Sequence, residues 1–178
     1  MQGKVHVLIG AGSLALFCAK YPMGFVFAET HIIPVVGLFT AAFGSYLPDI
    51  DMQTTHMGQQ HKVASKVISK VGGGHRGFTH TLVIPLLLAA LMYYVGTSMT
   101  YRMLASVVMS LLFGMEFGYV MHIVADLFNG KGCPILWPFM QGKLHIMDLP
   151  SSGVVPYIFA VVFLSLIGIL LFYAQLFG

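Results

Sequence analysis

Five long apolar stretches dominate this chain and constrain its fold more than any other feature. They predict membrane-spanning helices at about residues 5–20, 30–47, 79–97, 102–124 and 153–176. A helix needs about 20 mostly apolar residues to cross a bilayer. Only 8% of the 178 residues are charged, whereas soluble domains are about 25% charged. We therefore predict an all-α, polytopic membrane helical bundle with about five transmembrane helices, in which residues 1–178 form a single domain.

Basic residues fall mostly on one side of these predicted spans. Counting crossings from the amino terminus places that terminus, the 48–78 loop and the 125–152 loop on the same side. Seven of the nine Lys and Arg residues lie there, namely Lys4, Lys62, Lys66, Lys70, Arg76, Lys131 and Lys143. Because basic residues concentrate in cytoplasmic loops, we predict a multi-pass protein whose amino terminus faces the cytoplasm.

The same side gathers the residue types that bind metal ions. Seven of the eight histidines and four of the six acidic residues lie there. Three short groups form the centre of this pattern, Leu47–Asp51 (LPDID), His75–His80 (HRGFTH) and His122–Asp126 (HIVAD). Imidazole and carboxylate together suit a divalent metal. We predict a metal site that opens to the cytoplasm, and we expect the first apolar segment to be retained because it carries His6.

The spacing within these groups supports shared sites. His122 and Asp126 are four residues apart, so a helix places them on one face. Asp49 and Asp51 alternate in a predicted extended segment and can point to the same side. Neighbouring carboxylates repel one another unless a cation lies between them. The alternatives are a histidine bonded to a carboxylate in a packed bundle and a pair of solvated aspartates at a helix end.

Arg76 lies between His75 and His80 at the predicted start of the third helix, which Thr79 can cap. An arginine beside metal ligands can hold a phosphate or carboxylate with two parallel hydrogen bonds. An anchoring role at the lipid headgroups is the alternative, and both roles are compatible.

A short amphipathic helix is predicted within the 48–78 loop. Lysines recur every four residues beside a stripe of valines, at Lys62, Lys66 and Lys70 and at Val63, Val67 and Val71. This pattern is typical of a helix lying on anionic lipid headgroups, although a solvated helix face has the same spacing. No nucleic-acid partner is expected, because the sequence has no long basic run interleaved with aromatic residues.

Four further expectations concern single residues. We expect Glu116 to face the bundle interior against Tyr119, because an unpaired carboxyl is costly in a membrane. Cys18 and Cys133 are predicted on opposite membrane faces, so no disulfide is expected. His56, His61 and His145 are interpreted as supporting or ordinary loop residues, and Trp137 as an interfacial anchor.

These motifs resemble those of the LexA-regulated, membrane-bound metal-dependent hydrolases, a family of small bacterial inner-membrane proteins. The matching segments are His6 with Gly10, Leu47–Asp51, His75–Thr81 and His122–Asn129 with its continuation to Phe139. The resemblance implies the metal ligands His6, Asp49, Asp51, His75, His80, His122 and Asp126, with Asp51 and Arg76 as catalytic residues. Seven ligands imply a dinuclear centre, with two Zn²⁺ or alternatively Mn²⁺, bridged by an aspartate. It also implies LexA regulation as part of the SOS response.

The function implied by this resemblance is hydrolysis of a phosphoester in a phospholipid or lipid-linked substrate that arrives from the inner leaflet. A more remote similarity is to zinc-dependent phospholipase C and single-strand nucleases, although their amino-terminal tryptophan ligand has no counterpart in this sequence. Two other interpretations stay open. One is a metal-binding or ion-transporting membrane protein, and the other is a structural metal that ties the helices together.

Overall fold

The computed structural model describes residues 3–21, 24–27, 30–72, 76–140 and 142–176. Most of these residues are helical, which confirms the predicted all-α class. The helices are α1 (Gly3–Lys20), α2 (Pro34–Gly44), α3 (His56–Gln60), α4 (Lys62–Val71), α5 (Val83–Ser98), α6 (Arg102–Leu127) and α7 (Val155–Leu176). The strands β1 (Phe25–Phe27) and β2 (Thr30–Ile32) form an antiparallel hairpin, and 3-10 turns cover Leu47–Asp51 and Phe78–His80.

Among the residues described, three helices are long and apolar enough to cross a membrane, namely α1, α6 and residues 155–175 of α7. Helix α5 is apolar but shorter, with 16 residues. The predicted helix over 30–47 was wrong at its amino end, because residues 30–32 belong to the hairpin and α2 contains only 11 residues. Pro34 explains the difference, since proline favours the first helical position and disfavours helix in the residue before it.

Close packing of α2 against α6 determines where the polar residues of α6 lie. Small or polar residues recur every four positions along one face of α6, at Ser110, Gly114, Gly118, His122 and Asp126. A Cβ atom on Gly114 would lie 2.0 Å from the Gly37 carbonyl oxygen, and one on Gly118 would lie 2.0 Å from the Ala41 carbonyl oxygen. Only glycine permits so close an approach of two backbones. The same face of α6 carries His122 and Asp126, the last two residues of this series.

Helix α1 packs into the groove beside this helix pair. A Cβ atom on Gly10 would lie 2.0 Å from Ser45 Oγ and 3.4 Å from Gly118 Cα. His6 lies one turn before Gly10 on the same face. Its imidazole is consequently stacked on that of His122, with 3.7 Å between ring centroids and 18° between the ring planes.

Helix α7 lies outside this three-helix core. Its Ala160 joins a buried cluster with Val5, Ile9 and Ala125. Only 11% of its apolar window is buried within the chain, so most of its side chains are available to lipid. This arrangement is expected of a helix that packs on one side and faces hydrocarbon on the other.

The opposite end of the core is closed by the hairpin and by aromatic packing. Phe25 lies 5.0 Å from Phe113 and 5.2 Å from Phe17, measured between ring centroids. The Ile33 amide donates a hydrogen bond of 2.8 Å to Ser110 Oγ and attaches the hairpin to α6. This end is held by apolar contacts and backbone hydrogen bonds.

Candidate metal centre

Four separate elements bring their polar residues together at one end of the bundle. His6 comes from the first turns of α1, and Asp49 from the 3-10 turn after α2. His80 ends the 3-10 turn before α5, and the His122 and Asp126 pair occupies the last turns of α6. The fold therefore brings these ligand-type residues together at one end of the bundle, as the sequence predicted.

The predicted extended segment at Asp49 and Asp51 was wrong, and the difference changes their roles. These residues lie in a 3-10 turn, where residues two positions apart point in different directions because each turn has about three residues. Asp49 Oδ1 lies 3.8 Å from His122 Nε2. Asp51 instead faces the segment around Arg76 and His80. The two carboxylates serve different parts of the site.

Asp126 lies at the centre of the cluster. Its Oδ1 atom lies 2.6 Å from Arg76 Nη2 and 3.4 Å from His6 Nε2. Its Oδ2 atom lies 3.6 Å from His80 Nε2 and 3.7 Å from His122 Nε2. All five side chains are at most 3% exposed. One buried carboxylate thus faces three imidazoles and one guanidinium.

Two overlapping sets of potential metal ligands arise among the described residues. One comprises His6, His122 and Asp126, and the other comprises Asp49, His80 and His122. Within each set, the ligand atoms lie within 4.8 Å of one another. The two sets share His122, and Asp126 faces the imidazoles of both, so they form one cluster.

The hydrogen bond of His122 fixes which nitrogen faces the centre. Its Nδ1 atom lies 2.7 Å from the Ser45 carbonyl oxygen, which can only accept a hydrogen bond. Nδ1 therefore carries the proton, and the lone pair of Nε2 points towards Asp49 and Asp126. A histidine held in this way through its outer nitrogen is typical of metal ligands. Sequence reasoning overlooked Ser45, although it continues the four-residue spacing of Gly37 and Ala41.

His6 supplies the clearest test of whether the cluster fits a metal. Its imidazole is 0% exposed, and neither ring nitrogen has a hydrogen bond within the described ranges. The Nε2 atom of His122 is in the same situation. A buried polar atom without a hydrogen bond costs about 1–3 kcal/mol. A divalent cation between Nε2 of His6, Nε2 of His122 and the carboxylates would satisfy these two nitrogens, so the donor set fits such an ion.

Asp51 orients the segment that carries His80. Its Oδ2 atom accepts hydrogen bonds from the Arg76 amide at 2.9 Å and from the Thr79 hydroxyl at 2.7 Å. Thr79 Oγ1 lies 3.0 Å from His80 Nδ1, so the other ring nitrogen faces Asp126. Thr79 therefore does not cap the next helix as predicted, since α5 begins at Val83. A role of Asp51 as a direct ligand stays a prediction.

The charges around His80 also affect its protonation. Burial alone lowers the pKa of His80, but hydrogen bonds and charge from Asp126 and Asp51 outweigh burial, and the pKa is raised. By contrast, burial raises the pKa of the Cys133 thiol to about 12. Cys133 is therefore a thiol and not a thiolate when no metal is bound. Cys18 and Cys133 are both free, which confirms that they do not pair.

Arg76 adopts an unusual backbone conformation to reach the centre. It is a non-glycine residue with a φ of 56°, in a region that costs about 1–3 kcal/mol unless its surroundings hold it. Its amide donates to Asp51, its Nη1 atom donates to the Gly132 carbonyl oxygen at 3.3 Å, and its Nη2 atom pairs with Asp126. The first contact holds the backbone of Arg76, and the other two hold its guanidinium inside the protein.

A cavity of about 370 Å³ leads to this cluster. Asp49 and Arg76 form part of its lining, together with His56 and two exposed lysines, Lys4 and Lys131. Three cationic side chains face one carboxylate among these residues. The approach to the centre therefore attracts anions.

The other predicted site residues lie away from the Asp126 cluster or outside the part of the chain that the structure describes. His75 lies outside the described residues. His61 is exposed, and His145 forms a surface pair with Asp148 at 3.6 Å. The Tyr119 hydroxyl, beside which Glu116 was predicted to lie, donates to the Thr79 carbonyl oxygen, and Glu116 Oε2 is buried without a hydrogen bond among the described residues. No sequence pattern indicated that Tyr119 would form a hydrogen bond with the segment around Thr79.

Comparison with known proteins establishes the family. A family model described as YdjM inner membrane protein matches residues 1–176. The chain belongs to this family. Inner membrane protein YdjM of Escherichia coli (strain K12) is 37% identical over 157 residues, which cover 86% of this chain and 74% of that protein. The protein of the same name from Shigella flexneri gives the same values.

A more distant relative is the uncharacterized protein YvsG of Bacillus subtilis (strain 168). It is 30% identical over 138 residues, which cover 78% of this chain and 74% of that protein. No solved structure matches significantly. Membership of the YdjM family, together with the apolar helices, supports the predicted bacterial inner-membrane location.

Proposed function

We propose that this YdjM-family protein is a membrane-bound, metal-dependent hydrolase of a phosphoester in a phospholipid or lipid-linked substrate. The observation that carries the proposal is the buried cluster around Asp126, at the end of a cationic cavity, in which imidazole nitrogens of His6 and His122 lack hydrogen bonds within the described part of the chain. Such donors suit a divalent cation, and such a cavity suits a phosphate.

The described residues divide into those that hold metal and those that orient the holders. His6, Asp49, His80, His122 and Asp126 would hold two zinc ions or, alternatively, manganese. A metal held there would supply Lewis-acid polarisation of the phosphoryl group. Ser45 and Asp51 keep the imidazoles in the required tautomer and orientation.

Arg76 is the residue best placed to bind the substrate phosphate. Its guanidinium has five N–H donors, and its Nε atom has no hydrogen bond within the described part of the chain. The side chain lines the cationic cavity while pairing with Asp126. A phosphate oxygen in the cavity would accept hydrogen bonds from the Arg76 guanidinium beside the metal ligands. Lys4 and Lys131, both exposed, would attract the anion towards this position.

The proposal places the cavity on the cytoplasmic side of the membrane. Its three cationic residues are among the seven that share one side of the predicted spans. Basic residues favour the cytoplasmic face. The substrate headgroup would therefore enter from the inner leaflet.

Turnover by purified protein in lipid vesicles tests the function. Wild-type protein supplied with Zn²⁺ or Mn²⁺ should release phosphate or a phosphorylated headgroup from phospholipids or a lipid-linked pyrophosphate. His122→Ala should abolish release while retaining helical content by circular dichroism. His31→Ala is the matched control, since His31 lies in the hairpin at the opposite end. Undiminished turnover in His122→Ala would overturn the assignment.

A further inference from the structure

We propose that a second cavity, which shares Arg76 with the first, binds one hydrocarbon chain of an anionic lipid. The inference rests on the proposed function, because it assigns the apolar part of the substrate to a defined position. Lipid binding at this cavity can be measured without any turnover.

The second cavity is larger and more apolar than the first. Its volume is about 700 Å³, within the range of about 300–1,000 Å³ that is usual for small-molecule sites. Its apolar walls come from α4, from the 3-10 turn before α5 and from the turn after α6, and include Val67, Val71, Phe78, Pro134 and Trp137. Phe78 and Trp137 pack edge to face, with 5.7 Å between ring centroids. Such walls suit a hydrocarbon chain.

The charged residues of the cavity indicate the chemistry of the polar end of the bound molecule. Arg76 and Lys143 are the charged side chains in its described lining, and both are cationic. Arg76 also lines the cavity that contains Asp49. A phosphate bound to Arg76 would therefore have the metal ligands near it and an apolar cavity beside it. An anionic lipid has this combination of a phosphate and a hydrocarbon chain.

The surface around the cavity gives such a chain a route of entry. On α4, Val67 is 56% exposed and Val71 is 83% exposed. Beyond Trp137, Phe139 is 90% exposed and Met140 is 55% exposed. Exposed apolar side chains grouped in this way mark a membrane or ligand contact. The cavity can therefore receive a chain from the bilayer without passage through water.

Trp137 makes the proposal directly measurable, because it is the single tryptophan of the chain and it lines the cavity. Phosphatidylglycerol brominated on one acyl chain is titrated into the protein in detergent micelles. We expect saturable quenching of the Trp137 emission that unbrominated phosphatidylglycerol reverses by competition. Brominated phosphatidylcholine should bind at least about tenfold more weakly, a difference of about 1.4 kcal/mol.

Two matched substitutions test the position of the chain. Val67→Phe adds bulk to the cavity wall and should weaken the saturable quenching at least about tenfold. Val63→Phe, one turn earlier on the same exposed stripe and outside the described lining, should leave it unchanged. Equal metal content and equal thermal unfolding of both variants would show that they are folded.

The outcomes separate this proposal from the proposed function. Quenching that rises with lipid without saturation, and that Val67→Phe does not change, would overturn the chain site and place Trp137 simply at the bilayer interface. Equal quenching by phosphatidylcholine would overturn the anionic specificity. Saturable quenching retained in His122→Ala, with no lipid hydrolysed by the wild type, would support the chain site and contradict the hydrolase.

Discussion

The two ends of the core formed by α1, α2 and α6 are built from different chemistry. At the ligand end, His6, His122 and Asp126 are each at most 1% exposed. At the hairpin end, the Phe25 ring contacts the rings of Phe17 and Phe113. Close helix packing at glycines joins these ends, but a hairpin closes one end and 3-10 turns close the other.

This difference indicates where a bound metal would stabilise the protein most. Aromatic packing stabilises the hairpin end directly, because each ring pair gains about 0.5–1.5 kcal/mol beyond its burial. At the ligand end, buried imidazole nitrogens lack hydrogen bonds within the described residues. A metal that binds the folded state would stabilise this end by mass action. Metal removal should therefore loosen the ligand end before the hairpin end.

The largest expected effect comes from removing the central carboxylate. Asp126→Ala should destabilise the metal-free protein by about 3–5 kcal/mol, because it leaves the buried Arg76 guanidinium without its counter-charge. Thermal unfolding in detergent measures the change. Asp148→Ala is the control, since Asp148 is 79% exposed and pairs only at the surface, and it should unfold like the wild type. Equal unfolding of the two variants would contradict the described role of Asp126.

Adding one methyl group to the helix contact should have the next largest effect. Gly118→Ala should cost about 1–3 kcal/mol of unfolding free energy, because the new Cβ atom would lie 2.0 Å from the Ala41 carbonyl oxygen. The same substitution at Gly168 of α7 should cost nothing, since its nearest neighbour would be 3.9 Å away. A tolerated Gly118→Ala would mean that α2 and α6 are farther apart than described.

Substitutions of Asp51 distinguish orientation from direct ligation. Asp51→Ala removes the acceptor for Arg76 and Thr79 and should weaken metal binding about 10–100-fold, as other losses of supporting contacts do. Asp51→Asn keeps an acceptor oxygen and should weaken binding less than about tenfold. Titration with Zn²⁺ measures both affinities. Equal loss in the two variants would instead favour Asp51 as a ligand.

The smallest effect is expected at the hairpin end. Phe113→Leu removes the edge-to-face contact with Phe25 and should lower the free energy of unfolding by about 1 kcal/mol. Metal affinity should be unchanged, because the substitution lies far along α6 from the ligands. A substantial loss of metal affinity in this variant would show that the two ends are coupled.

The sequence predicted much of the fold and the location of the cluster for physical reasons. Apolar length identified α1, α6 and α7, and the one-sided distribution of His and Asp indicated that their ends would meet. Helical spacing placed His122 and Asp126 on one face. The lysine and valine repeat predicted α4, which begins at Lys62 as a helix of 10 residues.

Other features depend on tertiary contacts that no local pattern reveals. The pairing of Arg76 with Asp126 joins residues that are fifty positions apart and requires a left-handed backbone at Arg76. The 3-10 turn at Asp51 arises where α2 ends against the 76–80 segment. The alternating side-chain directions of an extended strand therefore predicted the wrong direction for the Asp51 side chain. The carbonyl oxygen of Ser45 cannot be recognised as a histidine acceptor without the fold.

Metal content of the purified protein tests the central claim most directly. Wild type, His122→Ala and the His31→Ala control would be prepared without chelators and analysed by inductively coupled plasma mass spectrometry. The proposed dinuclear centre predicts about two equivalents of zinc or manganese in the wild type and in His31→Ala, and a large loss in His122→Ala. Folded wild-type protein that binds no divalent metal, even after incubation with Zn²⁺ or Mn²⁺, would contradict the metal centre.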